Sequence, residues 1–98
     1  MKVIEIRKRI DNGKPLKAFV DIELENKIIV REFRIVQEIN KHPQVMCPQT
    51  SWKDPIDGRI KYKTIVTFPQ PLKVEIDMLI LGAWLEKKEK LHELRLPT

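Results

Sequence analysis

The sequence predicts an α+β domain: a small antiparallel β-sheet, a meander of about five strands, followed by one long C-terminal α-helix. From Lys2 to Leu24, apolar and charged residues alternate with a period of two, in runs broken by turn-forming residues. After Phe68-Pro69-Gln70-Pro71 the period lengthens to three and four, and it does not return to two. At 98 residues, 42% hydrophobic and 34% charged, the chain has material for one core and is too hydrophobic for a disordered segment, so residues 1–98 are expected to form a single domain.

In Lys2 to Ile10, Ile4, Ile6 and Ile10 fall on one side and Glu5, Arg7 and Arg9 on the other, as in a half-buried strand. Asp11-Asn12-Gly13-Lys14-Pro15 supplies turn chemistry. Leu16 to Leu24 repeats the alternation, with Leu16, Ala18, Val20, Ile22 and Leu24 opposite Lys17, Asp21 and Glu23; Phe19 is an exception on the wet face. A tight Glu25-Asn26-Lys27 connection leads into Ile28 to Val36, a β-branched run that completes a three-stranded meander.

A short strand is expected over Gln44 to Cys47, then a loop from Pro48 to Gly58, then a strand over Ile60 to Thr67 with Arg59, Lys61 and Lys63 on one side and Ile60, Tyr62 and Val66 on the other. Leu72, Ile76, Leu79, Ile80 and Ala83 recur at helical spacing through Glu86, and Lys87 to Arg95 could extend the helix or fray. Val74, Met78, Leu81, Trp84 and Leu85 widen the apolar stripe beyond what one sheet can cover, which suggests a second surface, most simply a dimer interface.

A net charge of +5 favours polyanionic partners, although basic and acidic residues are interspersed. Cys47 is the only cysteine, which excludes an intrachain disulfide and suits a cytoplasmic location. No signal peptide and no membrane insertion are expected, since the longest apolar run, Met78 to Leu81, is far too short to span a bilayer.

The chain offers little for catalysis. His42 and His92 are its only histidines; His42 reads as a surface imidazole in a turn and Cys47 as a packed thiol. Neither CxxC nor HExxH occurs, the three glycines are widely separated, and Glu75 and Asp77 lie two apart and so do not share a helix face. The expectation is a non-enzyme with no catalytic residue, metal, cofactor or small-molecule substrate.

Basic and aromatic residues gather between Trp52 and Lys63, where Lys53, Arg59, Lys61 and Lys63 interleave with Trp52 and Tyr62. Cations of this kind neutralise phosphates, and an exposed ring stacks on an unpaired base or wedges into a groove. The plainer alternative is an edge strand whose lysines discourage aggregation, with Trp52 pinning its own loop to the core.

Several strings, in order, resemble the SpoVG family of bacterial stage V sporulation and septation regulators. They are Val3 with Ile6-Arg7-Lys8-Arg9, then Leu16-Lys17-Ala18, Val30 to Val36 ending Arg34-Ile35-Val36, Val45-Met46-Cys47-Pro48, the loop closure Asp57-Gly58, and Tyr62 to Val66 with Pro69 before the helix. The resemblance spans most of the chain. It implies a homodimer of small sheets, each with a C-terminal helix, that binds DNA and in some members RNA as a regulator. By the same carry-over the contacts fall on the basic loop and the helix start, here Lys53, Arg59, Lys61, Lys63 and Lys73. The rival expectation is a non-catalytic protein-interaction module in cell division or envelope assembly.

Overall fold

The computed structural model describes residues 1–9 and 13–95, with side chains through residue 87. Ile10, Asp11 and Asn12, expected to end the first strand and open the first turn, lie outside the described residues; Gly13 takes a left-handed φ of 77°. Strands β1 (Lys2–Lys8), β2 (Leu16–Leu24), β3 (Ile28–Val36) and β4 (Gln44–Met46) form one antiparallel sheet in sequence order. A separate two-stranded hairpin, β5 (Gln49–Lys53) and β6 (Ile60–Thr64), precedes helix α1 (Gln70–Arg95). The α+β class holds. Among the described residues six strands replace the expected five, because the run after Pro48 that reads as loop contributes β5.

Alternation explains the core. Ala18, Val20 and Ile22 of β2, Phe33 and Ile35 of β3 and Val45 of β4 project from one face and meet Ile76, Ile80 and Trp84 of α1, all buried. The three helix residues recur every fourth position and so share one stripe. Phe68 stacks on Phe33 with ring centroids 5.9 Å apart, which fixes the segment entering the helix. That helix starts where the Pro69 carbonyl accepts the Lys73 N–H, and Pro71 occupies the first turn, where its missing N–H costs nothing.

Register shifts change the expected faces, including one between Leu16 and Ala18 that takes Leu16 out of step with Ala18. A bulge between Val3 and Glu5 takes Ile4 out of the ladder, so Val3 and Ile6 pack on the core while Ile4, expected to join Ile6, is exposed. In β3 a second bulge sets Arg31 and Glu32 opposite the single residue Asp21, and Glu32 adopts a left-handed φ of 71°. The β2–β3 turn is as tight as expected: Glu25 and Asn26 have φ of 52° and 58°, and Lys27 N–H donates to the Leu24 carbonyl at 3.0 Å.

Candidate nucleic-acid interface

The β5–β6 hairpin carries most of the basic and aromatic residues singled out in the sequence. Its base is held where Ile65 N–H donates to the carbonyl of the buried Pro48. Beyond that point its strands pack mainly on each other. Every residue of β6 is exposed, as is every residue of β5 after Gln49. The run resists a strand reading because neither face meets a core that would impose alternation.

Register decides which residues act together. Trp52 pairs with Lys61 and Thr50 with Lys63, so Trp52 shares one face with both lysines. Ser51 pairs with Tyr62 and Lys53 with Ile60, which puts Tyr62 and Lys53 on the other face. Trp52 and Tyr62, at 45% and 59% exposure, are both open to solvent, so Trp52 does not pin its loop to the core. They back onto each other and do not make one platform.

The cations differ in how free they are. The Lys61 ammonium lies 2.7 Å from Asp54 and 3.3 Å from Asp57, so its charge is already answered inside the turn. That ammonium and the Ile56 N–H hold the Asp54 carboxyl below the usual carboxylate range. The turn is further closed by Asp57, which accepts the Arg59 N–H, and by Gly58, which takes a φ of 71°. Lys53, Arg59 and Lys63 have no acidic partner among the described residues. Lys73 stands outside the hairpin ladder: from the first turns of α1 its ammonium reaches the Val45 carbonyl and Asp77. This i,i+4 pairing was available in the sequence.

A second cationic region, which the alternation alone does not reveal, covers the face of the sheet away from α1. Arg7, Phe19, Arg34 and Met46 are consecutive partners across the four strands, and each lies between residues that face the core or the helix. One rung along, Asp21 is fully buried, although the sequence places it with the wet residues. It accepts Arg7 Nη1 and Nη2 at 2.7 and 3.0 Å, Arg31 Nη1 at 2.9 Å and the Glu32 N–H at 3.1 Å. Arg7 also reaches Glu32 at 2.7 Å and Glu5 at 3.3 Å. The Arg7 hydrogen bonds outweigh burial and hold the Asp21 carboxyl well below its usual range, while Asp21 raises the Arg7 guanidinium above its own.

Cys47 packs against the core, and burial pushes its thiol up, with nearby Lys73 opposing the shift only in part. His42 borders a cleft with Val36, Glu38, Lys41 and Gln44. Among the described residues no group of His, Cys, Asp and Glu is arranged to hold a metal ion, and no helix is long and apolar enough to cross a membrane. Comparison with protein-family models, curated proteins and solved structures finds no match, so the resemblance to the SpoVG family rests on the sequence strings themselves.

Proposed function

We propose that this protein is a small, non-catalytic, nucleic-acid-binding regulator of the SpoVG type, acting in the cytoplasm as a homodimer and gripping DNA or RNA through its β5–β6 hairpin. The observation that carries the reading is the hairpin itself: it reaches away from the core with Lys53, Arg59 and Lys63 free of acidic partners among the described residues and both aromatic rings in solvent. Such an element adds little to stability and much to reach. Two copies would double the patch and raise affinity through effective concentration.

Fluorescence anisotropy with labelled duplex DNA, single-stranded DNA and RNA at two salt concentrations tests it. Binding should weaken steeply as salt rises, and a Lys53/Arg59/Lys63→Ala variant should flatten the log–log salt slope for duplex by about 0.9 for each phosphate it no longer neutralises. Salt-independent binding, or none, sinks the proposal. A protein-interaction module is the second reading, favoured by Val74, Met78 and Leu85, exposed on α1 at the four- and seven-residue spacings of a helix-pairing seam. Sedimentation of the wild type and of Met78→Glu separates a dimer built on that seam from one that does not use it.

A further inference from the structure

We infer that the helix-free face of the sheet around Phe19 is a second nucleic-acid contact: a stacking surface for the unpaired bases of a single strand, flanked by Arg9 and Arg34. The inference rests on the nucleic-acid reading above but uses a different surface, and it narrows the ligand to a single strand.

Phe19 lies on an interior strand of the sheet, half-buried, between two guanidiniums; the Arg9 and Arg34 Cζ atoms are 5.7 and 5.5 Å from its ring centroid. Both distances fall within cation–π range. Bringing two like charges to one ring is unfavourable unless something answers them. One rung along, Asp21 answers Arg7 and Arg31 with charged hydrogen bonds. Around Phe19 no carboxylate among the described residues pairs with Arg9 or Arg34, and the buried Nε of Arg34 has no hydrogen-bond partner among them. Among the described residues the face is thus balanced at its Asp21 end, and no carboxylate answers the two arginines at its Phe19 end.

An anion that also offers flat apolar surface fits that deficit. Guanidinium planes and phenyl rings both stack on bases, and the phosphates between successive bases would lie within reach of the arginine heads. A duplex keeps its base faces stacked inside, whereas a single strand can lay them on the sheet. Neighbouring strands about 4.8 Å apart spread the Arg7–Phe19–Arg34–Met46 row over about 14 Å, room for roughly two or three stacked nucleotides. The bidentate grip of Asp21 on Arg7 keeps that end of the row fixed before ligand arrives.

The test uses the full chain and two separate variants, Phe19→Leu, which keeps apolar volume without a π face, and Arg9→Gln, at an exposed position. Probes are an oligothymidylate and an oligouridylate of about eight nucleotides and a DNA duplex, with polyglutamate as competitor. Each variant should bind the single strands about tenfold more weakly and the duplex as before. In the wild type, the Phe19 ring proton resonances should shift upfield on addition of oligothymidylate. Unchanged single-strand affinity in Arg9→Gln together with unmoved Phe19 resonances overturns the inference and leaves the hairpin reading standing if the duplex still binds. Displacement by polyglutamate as effective as by oligothymidylate overturns base stacking. Failure of the wild type to bind any nucleic acid overturns both readings.

Discussion

The four-stranded sheet with its helix and the β5–β6 hairpin are built from similar strands and held in opposite ways. In the first, β2, β3 and β4 bury residues against α1, β1 adds the half-buried Val3 and Ile6, and the buried set from Ala18 to Trp84 is continuous. In the second, neither face is covered, and Trp52, Ile60 and Tyr62 are exposed along with the lysines beside them. A two-stranded ribbon of this kind is marginal in water without other support, here the Pro48–Ile65 closure and the Phe68–Phe33 stack at its foot. Stability is therefore concentrated in the body, and the hairpin is free to be shaped by contact with something else.

The strongest way to break that comparison is to remove a side chain from the body. Phe33→Ala empties a fully buried position and removes the ring on which Phe68 rests, so urea denaturation should show a loss of about 4 kcal/mol. A loss below about 1 kcal/mol would mean that the core is not where stability resides.

Asp21→Asn should cost about 3 kcal/mol at neutral pH, because two guanidiniums and a backbone N–H lose their common carboxylate. Its pH dependence sharpens the point. The folded-state pKa of Asp21 is depressed, so the carboxylate's contribution is complete above the unfolded value of about 4 and is lost as pH falls through the lower folded value. Wild-type stability should fall over that acid range, and the Asn variant should show a shallower fall; parallel curves would remove Asp21 from the account. The smallest effect belongs to the hairpin: Trp52→Ser and Tyr62→Ser should each change the unfolding free energy by less than about 0.5 kcal/mol. A larger loss would show that the hairpin supports the body after all.

Elements with one buried face were plain in the sequence. The alternation of Ala18, Val20, Ile22 and Leu24 and the helical spacing of Ile76 and Ile80 come directly from burial against each other, whereas Leu16, past a register shift, does not join that cluster and Asp21, expected among the wet residues, is buried. Gln49 to Lys53 gave no such signal, since no core sorts its residues, and its strand state follows from pairing with β6. The parity shift at Ile4 is a backbone event that side-chain pattern does not encode. Among the site residues, the sequence brought Lys53, Arg59, Lys61 and Lys63 together, but opposite-face placement of Trp52 and Tyr62 depends on cross-strand register, and the pairing of Lys61 with Asp54 depends on the turn. Phe19 stood out as an aromatic residue on the wrong face; its arginine neighbours come from β3 and from the residue that follows β1, so only folding reveals the group.

The bulge at Ile4 also bears on how copies of this chain can meet. β1 is an outer strand of the sheet, and an outer strand with a regular row of free N–H and C=O groups invites another strand to dock alongside. Here the row is interrupted at Ile4, and the Ile6 carbonyl is taken at 3.0 Å by the Lys87 ammonium arriving from the helix. The opposite margin, β4, is only three residues long. Neither side of this four-stranded sheet offers a continuous template for ribbon-to-ribbon growth, so the open-ended strand addition that leads to fibres has no long, regular edge to start from there.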